Sequence, residues 1–164
     1  MVEMKVFGLA LDEDSQVPVL VLKDKEEKLV LPIWIGAMEA MAISLSLNNV
    51  NLPRPMTHDL LLLTIKSLEA EILRVEVVSL KEGTYYAEIE VLHNGKKKRI
   101  DSRPSDAIAL ALRAEAPIFV DKEVLEQAAA EKSDGATPIL KTEEAEKWNE
   151  VLEKFSGGGS KYKM

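Results

Sequence analysis

Two short stretches of this 164-residue chain share a pattern suited to phosphate chemistry. Arg54-Pro55-Met56-Thr57-His58-Asp59-Leu60 and Arg103-Pro104-Ser105-Asp106-Ala107-Ile108 both contain Arg-Pro, a hydroxyl residue and Asp, and both run into an apolar segment with helical character. The first amides of a helix are unpaired and lie at the positive end of its dipole, so an anion binds there readily, and an upstream Arg adds a bidentate contact. On this reading Arg54, Thr57, Arg103 and Ser105 bind phosphate. A purely structural reading stands beside it: Pro suits a first turn, Ser, Thr and Asp cap, and each Arg pairs with a nearby acid.

His58 is the candidate for moving a proton, since imidazole titrates near neutrality. The other histidine, His93, abuts an Asn-Gly turn, and two histidines exclude a multi-histidine metal site. Glu39, Asp59, Asp101 and Asp106 stand isolated among apolar or basic neighbours. Brought together, they would hold magnesium through oxygen ligands and, with His58, form a catalytic set. Kept apart, each is a cap or the partner of Arg54, Arg103 or Arg113. Lys96-Lys97-Lys98-Arg99 is the only basic cluster. It reads either as an arm whose Lys97, Lys98 and Arg99 track a phosphate backbone, or as a sheet edge guarded by lysines. No Walker loop, dinucleotide fingerprint, nucleophile elbow or HExxH motif occurs.

The elements that must position these residues follow from periodicity. Val2–Leu11, Val17–Leu22 and Leu29–Ile35 read as a three-stranded meander, with Pro32 pointing to an edge or bulged strand. After Gly36 a helix is expected over about 37–48, its only charge Glu39, with Met38 and Met41 most simply in the core. A proline-bounded loop leads to a second helix through Leu60–Leu68, with Thr57 as its N-cap. Glu71–Leu80 and Tyr85–Leu92 alternate as half-buried strands, and Asn94-Gly95 turns the chain into a third, Lys97–Asp101. A helix starting near Ser105 is apolar almost all round, which requires burial between the sheet and a partner element. A short strand at Ile118–Val120 precedes a helix over Lys122–Glu131 capped by Asp121. Strands, helices, strands, helices in this order, with short hairpins, give an α+β class of mostly antiparallel meanders with helices packed on the sheet. The body ends near 132; 133–155 reads as a linker and an amphipathic helix carrying Trp148, Leu152 and Phe155, and 156–164 as a flexible tail.

Composition narrows the function. There is no Cys, so disulfides, thiolate sites and cysteine nucleophiles drop out. No apolar run approaches the ~20 residues of a membrane span, and the acidic opening is not that of a signal peptide, so a cytoplasmic protein is expected. The formal net charge is -7. Residues 91–113 carry six cations against two acids, a net of +4, which leaves -11 elsewhere. Acidity therefore confines a phosphate ligand to one region instead of excluding it.

With LPIWIGAMEAMAI at 31–43, RPMTHDLL at 54–61 and DSRPSDAIALALR at 101–113, in this order and followed by API at 116–118, the chain resembles the bifunctional nuclease domain family, and within it a thermophilic bacterial member. Two Gln, no Cys and abundant Glu and Lys lean the same way. The resemblance implies an α+β domain, a homodimer in bacteria, and nuclease action on DNA and RNA as in plant relatives. It draws attention to Glu39, Arg54, Thr57, His58, Asp59, Asp101, Arg103, Ser105 and Asp106. Many relatives continue into a C-terminal helical motif of the UvrB/UvrC type, of which the segment after Pro138 supplies only about one helix. The leading expectation is a magnesium-assisted phosphodiesterase; the alternative is a non-catalytic dimeric protein that binds an anionic ligand. A third reading makes the helix at 107–112 and the Met-rich helix at 38–47 a dimer surface.

Overall fold

The computed structural model describes residues 1–133. The expected linker, amphipathic helix and tail beyond them lie outside the described residues. The order is β1 (Val2–Leu11), β2 (Pro18–Asp24), β3 (Val30–Trp34), α1 (Ala37–Leu47), α2 (Thr57–Ser67), β4 (Ala70–Lys81), β5 (Thr84–His93), β6 (Lys96–Ser102), α3 (Pro104–Ala114), β7 (Ile118–Val120) and α4 (Lys122–Ser133). The class is α+β, as expected.

Both meanders form, and β7 joins them into one seven-stranded sheet of order β3-β2-β1-β7-β4-β5-β6. β7 pairs antiparallel with β1 through Val2, Glu3 and Met4, and parallel with β4 through Val75, Glu76 and Val77. The β4–β7 ladder is the sheet's one parallel pairing, and α3 lies between β6 and β7 in the chain as part of the crossover such pairing needs. Pro32 lies on β3, an edge strand, where its missing N–H costs little. Asn94 and Gly95 have φ of 50° and 72°, the left-handed values a two-residue hairpin turn requires.

Strand alternation sorts the sheet's two faces. Val75, Val77, Ala87, Ile89 and Val91 are buried in the core beside α3. The opposite register positions carry Glu76, Glu88 and Glu90, where Glu76 faces Glu88 across β4 and β5, and Glu88 and Glu90 face Asp101 and Arg99 across β5 and β6. α3 packs against β4, β5, α1 and α2, and Ala107 through Ala111 are all buried. The expectation of a sandwiched apolar helix holds for Ala107 to Ala111, which are buried within the domain itself, while Leu112 stays partly exposed. Alanine at every second position keeps the helix thin where neighbouring helices close on it. By contrast, α2 has no fully buried residue, and Leu60, Leu61 and Leu63 remain exposed.

Ile108 is wholly buried at the centre of this packing. Ile108→Ala should destabilise the domain by about 2–5 kcal/mol, as measured by urea denaturation. An effect below the cost of one methylene would show that α3 is not the keystone of the core.

Candidate functional site

The two Arg-Pro motifs meet at the amino ends of α2 and α3. α2 begins at Thr57 with Met56, not Thr57, as its N-cap, because the Asp59 carboxylate reaches back to accept the Met56 N–H at 2.9 Å. α3 begins at Pro104 with Arg103 as its N-cap. From these ends, and from Glu39 in the first turn of α1, side chains converge on one pocket of about 200 Å³. Met38, Met41, Met56, Thr57 and Ala42 supply its other walls.

The polar side of the pocket is a chain of contacts. His58 Nε2 lies 3.0 Å from Asp106 Oδ1, Arg103 Nε donates to Asp106 Oδ2 at 2.7 Å, and Arg103 Nη2 reaches Glu39 Oε1 at 3.0 Å. Burial pushes the Asp106 carboxyl up, but hydrogen bonds and charge from Arg103 and His58 outweigh it and hold it below its ordinary value. Hydrogen bonds and charge from Asp106, with a smaller contribution from Glu39, raise the Arg103 guanidinium. Glu39 folds back over Gly36, where a Cβ would collide with its carboxylate. Asp106 holds the His58 imidazole in place, and Arg103 presents a cation between two carboxylates.

The remaining candidates go elsewhere. Asp59 accepts from Arg113 Nε at 2.7 Å. Burial raises the Asp59 carboxyl, while the Met56 N–H and Arg113 lower it further than burial lifts it. Arg113, its side chain only 8% exposed, also donates to Ala42 O and Ala109 O, so it ties α1, α2 and α3 together. Asp101 lies on β6 opposite Glu88, and Arg54 is not among the residues lining the pocket. Ser105 is buried and lines a neighbouring groove. Lys97 pairs with Glu90 at 2.8 Å and Arg99 with Glu76 and Glu88 at 2.6 and 2.8 Å, on the sheet face away from the core. Lys98 makes no ion pair among the described residues. Glu39, Asp59, Asp101 and Asp106 therefore do not gather, and among the described residues no three His, Asp or Glu side chains stand in metal-holding geometry. The donor arrangement does not fit a magnesium ion held by these four acids.

Two features escaped the motif reading. Met38, expected in the core, is 70% exposed beside the pocket. Trp34 is an exposed aromatic whose indole N–H donates to Asp12 Oδ2 at 2.8 Å. Its place in the apolar run LVLPIWI hides that role.

The profile of the bifunctional nuclease domain matches residues 20–133, the span that contains both Arg-Pro motifs and the Glu39 helix. The chain belongs to this family. An uncharacterized protein of Mycobacterium tuberculosis is 39% identical over 158 residues, covering 94% of each chain. Bifunctional nuclease 2 of Arabidopsis thaliana is 31% identical over 97 residues, which are 57% of this chain and 30% of that protein. Bifunctional nuclease 1 of the same plant is 29% identical over 109 residues, 64% of this chain and 34% of that one. The likeness to the plant bifunctional nucleases is thus confined to about a third of their length. No helix among the described residues is long and apolar enough to cross a membrane.

Two outcomes follow from these pairings. Depressed carboxyl pKa values at Asp12, Asp59, Glu90 and Asp106 stabilise the fold fully above about pH 4–5, and the gain is lost as pH falls through the folded values. Melting temperature should accordingly be flat near neutrality and fall below about pH 4, and Asp106→Asn should flatten that acid limb in a pH series of thermal melts. Arg99→Met should lower the melting temperature by several degrees because it strips a cation from the buried Glu76, whereas Lys98→Ala should leave it unchanged. Equal effects of the two substitutions would show Arg99 to be a free surface cation.

Proposed function

We propose that this bifunctional nuclease domain hydrolyses phosphodiester bonds of nucleic acid at the pocket formed by His58, Asp106, Arg103 and Glu39. One observation carries the reading: residues from both Arg-Pro motifs, 45 or more positions apart in the chain, join in a single hydrogen-bonded chain along one pocket. The names of the plant relatives support the substrate class.

In this reading Arg103 holds a non-bridging phosphate oxygen and offsets the charge that grows on it during attack. His58, held by Asp106, takes the proton from the attacking water as its oxygen bonds to phosphorus, and the departing sugar oxygen gains a proton from solvent. Thr57, on the pocket wall, and Ser105, beside it, supply neutral polar contacts. Any magnesium would arrive on the substrate's own phosphates, since the four carboxylates do not share a site. The reading also takes the protein as a cytoplasmic homodimer.

A second reading has its own observation. Arg103 is already balanced by two carboxylates, and Asp59 by Arg113, so the charges of the site are internally satisfied. A site held together this way keeps its shape without a proton or charge to spare for chemistry. That suits a regulatory protein that takes an anionic ligand on Arg103 Nη1, unengaged among the described residues, without cleaving it.

The deciding assay incubates the purified protein with end-labelled single-stranded DNA and RNA, with and without EDTA. Wild type should cleave, His58→Ala should lose about 100-fold or more of the rate, and Arg103→Ala should weaken both binding and cleavage. Binding without cleavage would establish the second reading. Cleavage unchanged in His58→Ala, Arg103→Ala and Asp106→Asn would remove this pocket from the reaction.

A further inference from the structure

Arg103 stands at the boundary of two depressions. On one side is the His58 pocket; on the other is an open groove of about 360 Å³ whose walls include Trp34, Tyr85, Ile35, Pro104 and Ser105. The groove is large enough for one flat ring system and its sugar, near the lower end of common ligand sites. Its chief feature is Trp34, 43% exposed at the end of edge strand β3.

This indole is not a loose surface ring. Its N–H is fixed to Asp12 Oδ2 at 2.8 Å, and Asp12 is itself buried and immobilised, its Oδ1 accepting the N–H groups of Asp14 and Ser15 at 3.0 and 3.2 Å. The Trp34 hydrogen bond, with those of the turn, also holds the Asp12 carboxyl below its usual value, so the acceptor stays charged. A ring held in place by its polar edge presents an apolar face without further ordering cost, as a stacking platform requires. Arg103, meanwhile, spends Nε on Asp106 and Nη2 on Glu39, which leaves Nη1 unengaged among the described residues. An exposed, immobilised aromatic sharing one groove with a cation that keeps free donors is the combination by which single-stranded nucleic acids are held: bases stack on the ring and the backbone meets the charge.

We infer that the groove is a base-binding subsite for single-stranded nucleic acid, in which one base stacks on Trp34 while its neighbouring phosphate meets Arg103. The inference rests on the nucleic-acid reading of the His58 pocket and adds to it a strand path: the base lies on the β3 side of Arg103 and the scissile phosphate on the α2 side. Recognition through the π-face tolerates any base, so the subsite selects unpaired strands over duplex and does not read sequence.

Tryptophan fluorescence tests it on the full chain, with Trp148→Phe so that Trp34 is the only emitter. Each protein is titrated with a short oligothymidylate and with an abasic strand of the same length. Oligothymidylate should quench Trp34 emission and bind about tenfold more tightly than the abasic strand, the range expected for one stacked base. Read by anisotropy of labelled strands, Trp34→Ala should abolish that difference while leaving abasic binding unchanged. Because Trp34→Ala also breaks the bond to Asp12, Trp34→Phe is the companion: it keeps an aromatic face, so most of the preference should persist. Equal affinity of wild type for both strands, or a preference that survives Trp34→Ala, would overturn the subsite and leave the His58 pocket standing. Failure of wild type to bind either strand would remove both readings.

Discussion

Helix α3 has no solvated face over most of its length, and much else in the domain follows from its burial. A helix apolar all round can be stable only if sheet and helices enclose it, and here β4, β5, α1 and α2 do so. That enclosure fixes where the helix begins. Arg103, the N-cap, and Asp106, in the first turn, are therefore carried to the pocket by the packing of Ala107 to Ala111, and their mutual contact and those to His58 and Glu39 set their orientation there. At the opposite end Arg113 spends all three nitrogens on α1, α2 and α3, so the three helices are locked at both ends of the same element. The pocket between them is a by-product of helix starts brought together by apolar burial, with charge added at the rim.

Electrostatics in the described domain is mostly local pairing. The basic hairpin that stood out in the sequence is spent largely on the sheet's own acids: Lys97 on Glu90, Arg99 on Glu76 and Glu88. Glu76 is 1% exposed although it lies on the face away from the helices, because arginine side chains from β4 and β6 cover it. Charge along the sequence is thus a poor map of the charge a ligand meets. Arg103 differs in that its Nη1 stays unengaged among the described residues and it stands between two depressions.

The fold was legible wherever the signal was local. Asn94-Gly95 named its hairpin, Pro32 named its edge strand, and the all-apolar 107–112 run named its burial. Motif order also led to the right family. What could not be read was pairing at long range. Nothing local in Ile118–Val120 says that it will insert between β1 and β4, and nothing in the spacing of Asp101 and Asp106 says that one ends on a strand facing Glu88 while the other turns into the pocket. Of the site, His58, Asp106, Arg103 and Glu39 were nominated by type and spacing, but so were Arg54, Asp59 and Asp101, and only three-dimensional placement separates the two groups. Trp34 was missed because an aromatic inside an apolar run looks like core until its partner, Asp12, is seen 22 positions away.

β7 has only three residues, yet it is the one strand through which the two meanders touch within the sheet. Its position late in the chain sets an order of events. As the chain leaves the ribosome, β1–β2–β3 and β4–β5–β6 can each hairpin by neighbour contacts, but both keep a bare edge, on β1 and on β4, until residue 120 has emerged. Until then those edges are open to pairing with any other strand, including another nascent copy. Closure of the sheet is thus a single late event, and protection against mispairing depends on the arrival of Ile118, Phe119 and Val120.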